Sequence, residues 1–499
     1  MKKLLPGLIL LILSLPAMAV TFSVPNLNVA GSSELSQPSS TPGQCQNISA
    51  FGGSTSSSDN SAAFAAALSA SPANNQCVKF GPGNWDFGAN VAYTFPSATG
   101  ASITIEGAGS GVTNLIWPAG GGLTINYYGT SDSANVKNLT IETGAVNTGT
   151  ALFLNQAASV SNESNSALNS IKNVTIQGSD QFSGGTEYWA TQVNSSVSNV
   201  NFIDDHFMAP GGDGNEVVLA GTSTQVPVIF NFVSDYFQGG SAQLTYGDNV
   251  QGVQIADTNF IDGSYAIFAP SAATGLDELT VTGSQFNAIN SNIYEQGSIS
   301  NTSVVGNLFY VQNSNYGIDL AASNLFSIIG NEFAPAGTGA SSIGINIGAS
   351  TTAGGTITGN VFYTMGTAAV TLGSSSQNVT VNSNAYYGNG VNVNDAGAKN
   401  LAASSAANPG YEYSSAGILH EWGSTALTTS ATGTFTITFP KAFPTAVFAC
   451  TLVNGDSSVA LGNPVAYTGA STTTSTLAGQ MYNIAAATAI TINWSCYGD

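Results

Sequence analysis

From about Ile171 to Tyr386 the chain alternates apolar and polar positions in short runs, and the runs recur. A Phe or Tyr stands two residues after a small, turn-forming polar residue at Phe182, Phe207, Phe237, Phe260, Phe286, Phe309, Phe333, Phe362 and Tyr386. Successive anchors lie 23 to 30 residues apart. A short alternating run precedes each anchor, as in Asn173-Val174-Thr175-Ile176 and Asn378-Val379-Thr380-Val381. A second run follows most anchors, as in Gly317-Ile318-Asp319-Leu320, Gly344-Ile345-Asn346-Ile347 and Ala369-Val370-Thr371-Leu372. No amphipathic helix fits between them. Two or three short strands in a repeat of about 25 residues predict a parallel β-helix, with all-β architecture.

Physics supports that expectation. Coils stack at about 4.8 Å, so like positions lie on like. Asn and Asp tolerate the left-handed backbone that a sharp corner needs. Asn307, Asn331, Asn360 and Asn384 hold that corner in the later coils and should bond one another along the axis. The following aromatic should form a column.

Composition adds an address. Met1-Lys2-Lys3, an apolar run from Leu4 to Leu15 and Pro16-Ala17-Met18-Ala19 read as a secretory signal over residues 1–19, cut before Val20. That run is too short for an ordinary membrane span. A secreted, periplasmic or cell-surface location is therefore expected. The whole chain carries a formal charge of −20, with no arginine. Nucleic acid is excluded as a partner, because phosphate binding needs clustered cations. Charged residues make up only 7% of the chain, so protonating its acids would leave little self-repulsion; tolerance of acid is expected. Cys45 with Cys77 and Cys450 with Cys496 form two distant pairs in an exported chain. Of three connectivities, pairing within each pair is preferred, since each falls inside one module.

In order, residues 20–45 are a Ser- and Pro-rich lead-in. Next come Phe51-Gly52-Gly53, Asp59, a helical run from Ala62 to Ala70 with Phe64, Ala67 and Leu68 on one face, and Pro82-Gly83-Asn84-Trp85. Asp59 or Ser61 is the expected helix cap. These residues resemble the opening segment of the pectate-lyase-like superfamily, the pectin lyase fold. The departures are a Ser-rich turn where that family often has Gly-Asp-Gly, and Trp for Tyr. With the repeat, the resemblance spans residues 46–400. It implies a right-handed, single-stranded parallel β-helix whose short N-terminal helix plugs the open end and covers unpaired strand edges. Residues 401–411 read as a linker.

The tail, 412–499, differs in texture. His420-Glu421-Trp422-Gly423, Phe439-Pro440-Lys441-Ala442-Phe443-Pro444 and the closing Trp494-Ser495-Cys496-Tyr497-Gly498 resemble the small C-terminal β-sandwich of certain phage tail fibres. That resemblance implies surface recognition, often by a homotrimer joined through this domain. A signal peptide does not suit a phage particle assembled in cytoplasm, so the expectation is an exported bacterial protein that shares the module.

The superfamily includes polygalacturonases, pectate lyases and phage tailspike glycosidases. Glycoside hydrolysis uses two carboxyl groups at set separations. Asp213 and Glu216, in Pro210-Gly211-Gly212-Asp213-Gly214-Asn215-Glu216, precede a strand as the paired aspartates of polygalacturonase-like chains do. Glu187 lies one coil earlier beside Tyr188 and Trp189, and Asp262 with Tyr265 follows by two. Asp213, Glu216 and Glu187 are thus the candidate acids and bases, with Tyr188, Trp189, Asp262 and Tyr265 binding sugar. The plain alternative is an acidic, Gly-rich surface loop. A second cluster holds Asp180, Asp204, Asp205, Asp235 and Asp257. Asp180, Asp205 and Asp235 share one anchor position and should stack. Stacked carboxylates would be protonated, ligate Ca²⁺ through oxygen, or serve catalysis; the preferred expectation is that Asp replaces Asn in the corner ladder. No other cofactor is expected. Asn-Thr-Asp, Gly-His-Gly and Arg-Ile-Lys, marks of polygalacturonases, are absent, and so is the arginine base of the lyases. Two functions follow: an exported glycoside hydrolase of acidic or cell-surface polysaccharide, or a non-catalytic adhesin with a stiff helical spacer and a binding tail.

Overall fold

The computed structural model describes residues 45–96, 100–129, 131–156, 167–181, 185–323, 325–348, 354–397, 400–402, 410–413, 418–455, 465–467, 472–481 and 489–499. The expected signal, nearly all of the lead-in, the anchor Phe182 and most of the expected linker lie outside the described residues.

The chain winds as a parallel β-solenoid of about 11 turns, with one helix and a C-terminal antiparallel region. Each regular coil contributes one strand to each of three parallel sheets. The coil around Phe286 supplies Asp277–Thr282 to the first, Gln285–Asn287 to the second and Ser291–Glu295 to the third. The next supplies Asn301–Val305, Leu308–Val311 and Tyr316–Leu320, in register with it.

Alternation within the strands sends one residue in two to the lumen. At the second sheet this residue is the aromatic anchor. Ring centroids lie 4.7–4.9 Å apart from Phe207 through Phe237, Phe260, Phe286, Phe309 and Phe333 to Phe362, and 5.6 Å from Phe362 to Tyr386. Burying one such ring stabilises by roughly 2–3 kcal/mol, and each stacked pair adds about 1 kcal/mol. The column does not start where the spacing puts it. Ile176, not Phe182, pairs with Phe207. The stretch Asn173–Ile176 is itself the anchor segment, and residues 179–181 form a turn after it.

The corner ahead of the anchor is a hydrogen-bonded ladder. The Oδ1 of Asn331 accepts from the backbone N–H of Asn307 at 2.9 Å and from its Nδ2 at 3.0 Å, and Asn331 donates likewise to Asn360. Each Nδ2 also reaches a first-sheet carbonyl of the coil before, as Asn331 does to Val304 at 2.9 Å. The ladder runs through Ser284 and Thr258 to Asp235 and Asp205, whose backbone N–H donates to Asp235 Oδ1 at 2.8 Å.

The helix Ser61–Ala70 buries Ala63, Phe64, Ala67 and Leu68 at the N-terminal end of the solenoid, with Phe64 stacked 5.9 Å from Phe80. Asp59 braces its start, accepting from Ser61 N at 2.9 Å and Gly88 N at 3.0 Å. Cys45 is bonded to Cys77 and Cys450 to Cys496.

The tail is built from a four-stranded antiparallel sheet ordered Gly410–Tyr413, Leu419–Thr428, Ala489–Gly498, Val447–Asn454, and a three-stranded one ordered Thr434–Thr438, Thr476–Met481, Val465–Tyr467. Phe435, Ile437, Leu477, Ile492 and Trp494 pack in their shared core. Lys441 of the tail pairs with Asp395 on the last third-sheet strand of the solenoid, with only 10% and 0% of their side chains exposed. Among the described residues no helix is long and apolar enough to cross a membrane.

Candidate functional site

The corner between the second and third sheets is where the chain departs most from regular coils. The long strand His206–Leu219 pairs with Tyr236–Tyr246 through two register shifts, between Met208 and Gly211 and between Gly211 and Asn215. Extra residues in one strand are forced outward, so Gly211, Gly212 and Asp213 stand exposed. Gly214 has φ +71°, and a β-carbon there would lie 2.5 Å from the Trp189 carbonyl and 3.2 Å from the Tyr188 ring. Glycine is required for the loop to lie flat on the coil below. On its other side the loop leans over Asp262 and Ser264, which approach Gly211 and Gly212. The loop that carries Asp213 thus lies between the Tyr188 ring on one side and the Asp262 backbone on the other.

Glu187 sits near the same corner, after the turn at residues 179–181. The turn is braced by Asp180, whose carboxylate accepts from Thr186 N at 2.9 Å, Thr186 Oγ1 at 2.7 Å and Glu187 N at 2.9 Å. These bonds hold the Asp180 carboxyl below its ordinary range. Ser179 Oγ donates to Glu187 Oε2.

One acid here was not singled out from the sequence. Glu142 faces outward on the second sheet but is only 8% exposed. Gln177 Nε2 donates to its Oε1 at 2.8 Å. Burial pushes its pKa up, the Gln177 bond opposes this, and the charge of Glu187 pushes it further up. Two carboxyl groups that feel each other, one holding its proton more tightly, is the asymmetry an acid/base pair needs. The available signal was the row Glu142–Gln177, a polar pair in register on a sheet floor.

Around the corner, Tyr265 opens a part-exposed aromatic row on the third sheet. Its ring lies 5.1 Å from Phe268 and 5.3 Å from Tyr294. Asp319, beside it and bonded by Asn346 Nδ2 at 2.8 Å, has its carboxyl pushed up by burial. On the second sheet His206 and Tyr236 lie 5.5 Å apart. The Tyr236 hydroxyl is pushed up by burial first, then by the charges of Asp262 and Glu216.

Two expected site residues are not at this surface. Trp189 is fully buried and donates its indole N–H to the Gln177 carbonyl at 3.1 Å. It is a core residue and offers no face to a sugar. Glu216 is also fully buried, and neither carboxyl oxygen has a hydrogen-bond partner among the described residues. Val193, Val217 and Leu244 are in register, so Gln192, Glu216 and Gln243 occupy one column. Gln192 Nε2 donates to the Met208 carbonyl at 2.6 Å and Gln243 Nε2 to the Ile261 carbonyl at 2.8 Å. Glu216 replaces an amide donor in that column. Burial pushes its pKa well up, opposed by the Gln238 backbone amide. It is an interior carboxyl that holds its proton more tightly than usual and offers no exposed surface to a substrate.

The second acidic cluster resolves into parts. Asp205 and Asp235 are fully buried ladder members, as the Asn analogy predicts. Burial raises both pKa values, that of Asp235 to about 8, and the charge of Asp235 raises that of Asp205 further. Asp180 is not stacked with them, because its turn follows the ladder position instead of filling it. Asp204 and Asp257 are exposed, with φ +56° and +52° at the corner. Among the described residues no three His, Cys, Asp or Glu side chains are disposed to hold a metal ion.

Comparison with known proteins agrees with this architecture. Residues 413–499 match a family model described as the C-terminal region of gp53-like tail fibre proteins. The Dettilon tailspike protein is 10% identical, with a TM-score of 0.58 over 90% of this chain and 94% of that one. A tailspike of E. coli bacteriophage HK620, in complex with a pentasaccharide, is 11% identical over 91% and 93% of the two chains, with a TM-score of 0.45. An R2-type pyocin tail fibre is 21% identical over 20% of this chain and 37% of that one, with a TM-score of 0.17. The first of these establishes a shared fold. No curated protein matches the chain.

Proposed function

We propose that this is an extracellular glycan-binding protein of tailspike type, which hydrolyses a bacterial surface polysaccharide at the corner between its second and third sheets. The observation that carries the proposal is Glu187 acting electrostatically on the buried Glu142, beside Tyr188 and the loop that carries Asp213; in this reading Asp262 and Tyr265 are assigned to sugar binding. Pyranose rings stack on tyrosine faces, and a carboxyl that retains its proton can act as acid while a second carboxyl acts as base or nucleophile. Glu142 is the proton donor in this reading, and Glu187 or Asp213 the base or nucleophile. Glu216, named from the sequence as a third candidate, is left out by its burial. The fold shared with a tailspike and the tail-fibre match at the C-terminus support glycan recognition, and the latter carries the further proposal of a homotrimer, which native mass spectrometry tests.

A second reading keeps the binding and drops the chemistry. It is favoured by Asp213, which is exposed on a glycine-rich loop. A reducing-end assay on a panel of bacterial capsular and O-antigen polysaccharides decides between them. Cleavage that falls at least 100-fold in Glu142→Gln and Glu187→Gln, with binding retained, supports hydrolysis. Binding without cleavage in the unaltered protein leaves the adhesin. Neither binding nor cleavage across the panel overturns both.

A further inference from the structure

The outer face of the four-stranded tail sheet carries a group of rings that nothing in the helix accounts for. His420 and Trp422 are two residues apart on Leu419–Thr428, so both side chains leave the same face. Tyr497 lies directly across from His420. The His420 and Tyr497 rings stack at 4.2 Å with 4° between planes, and His420 lies 5.0 Å from Trp422. Tyr497 is 46% exposed. Ser495 Oγ lies 2.9 Å from His420 Nε2 and tethers the imidazole.

The neighbouring strand is irregular beside Tyr497. Val447–Asn454 pairs with Ala489–Gly498 through an irregularity between Val447 and Ala449. The extra residue is Phe448, next to the Gly498 and Tyr497 pairings and 57% exposed. Bulges re-aim side chains at functional edges. Directly behind the rings, Cys450 and Cys496 are cross-linked between these same two strands. The sheet is fixed at the point where the aromatics sit, which lowers the ordering cost of binding.

We infer that His420, Trp422, Tyr497 and Phe448 form a second sugar platform, on the tail, that takes the apolar face of a neutral pyranose. Ring faces suit C–H bonds of a pyranose. Hydroxyl and amide groups at Ser495, Thr451 and Asn493 alternate with the rings on the outer face, a wetter surface than a protein–protein core provides. Charge selects the sugar. Lys441 is the sole lysine of residues 412–499, which hold no arginine. It is engaged by Asp395 of the solenoid. An acidic sugar would find no fixed cation on this face. The platform is independent of the helix corner, so either site survives failure of the other.

The test titrates the full-length protein with neutral gluco-, galacto- and manno-oligosaccharides of six residues and with an oligogalacturonate of the same length. Calorimetry and tryptophan emission report binding. At least one neutral oligosaccharide is expected to bind, with affinity reduced tenfold or more in Trp422→Ala and in Phe448→Ala, and unchanged in Leu325→Ala, which alters an exposed position on the solenoid. Phe448→Ala alters an exposed position and keeps the far-ultraviolet circular dichroism of the parent. Trp422→Phe should restore most of the affinity. The inference is overturned if no neutral oligosaccharide binds at millimolar concentration, if Trp422→Ala and Phe448→Ala bind as the parent does, or if the oligogalacturonate is preferred. It is equally overturned if Phe448→Ala dissociates an oligomer without changing sugar affinity, since the face would then be an interface between copies of this chain.

Discussion

The two halves of the corner ladder occupy one structural position with different chemistry. From Asn307 to Asn384 every rung is an amide, which accepts from the backbone N–H of the rung before it and donates to a first-sheet carbonyl of that same preceding coil. At Asp205 and Asp235 the acceptor is kept and the donor is missing. Asp205 accepts from Val174 N at 2.8 Å and Ile203 N at 3.1 Å, whereas Asp235 Oδ2 has no partner among the described residues. The position demands a group that gives and takes hydrogen bonds. A carboxyl meets the demand only when protonated, so the acidic half is tied to pH and the amide half is not.

The largest break in this comparison is Asn331→Ala. It strands the N–H of Asn307 and the carbonyl of Val304 in the interior, at a cost on the order of 3–5 kcal/mol. Urea denaturation should show a lower midpoint at every pH, because no titrating group is involved.

Asp235→Asn converts an acidic rung into an amide. The Asp235 pKa rises from its ordinary value of 3.8 to about 8 on folding. A folded value above the unfolded one means that the proton-linked stability is fully present below pH 4 and is lost as pH rises toward 8. The parent should therefore melt higher at pH 4.5 than at pH 8.5. The variant should lose much of that slope and melt higher than the parent at pH 8.5, by about 5 °C, as read from the thermal midpoint across pH. A parent that is most stable at pH 8.5 would contradict the raised pKa of Asp235.

Glu216→Gln is the smallest change. It restores the amide of the Gln192–Gln243 column and should be neutral at pH 5 and stabilising by about 1 kcal/mol at pH 8. If the corner cleaves glycan, this variant keeps its activity, whereas Glu187→Gln loses it. An inactive Glu216→Gln with a parent-like melting temperature would return Glu216 to the site.

The fold was legible because its cause is periodic. The column from Phe207 to Tyr386, the Asn rungs, the helix face with Phe64 and both disulfides follow from spacing and type alone. The misplaced start at Phe182 has a physical origin. The sequence Asp180-Gln181-Phe182 imitates the Asp-x-Phe anchor, but the ladder position had already passed at Val174. The site was legible only in part. Coil stacking sets the Asp213 loop beside the Tyr188 ring and Glu187 within reach of Glu142. Trp189 and Glu216 were lost to the interior. Inside-outside counting assumes strict alternation, and at a corner it fails: Glu216 and Val217 are consecutive and both buried. Glu142 went unnoticed because its perturbation comes from neighbours distant in sequence.

The Lys441–Asp395 pair has a mechanical consequence. A solenoid that carried the tail sheets on a single chain crossing would let them swivel, and a pull on the tail would spend itself in rotation. An ion pair closed off from water adds a second point of attachment off the axis of that crossing. Tension and torque applied at the tip are then delivered to the last coil as to a keyed shaft.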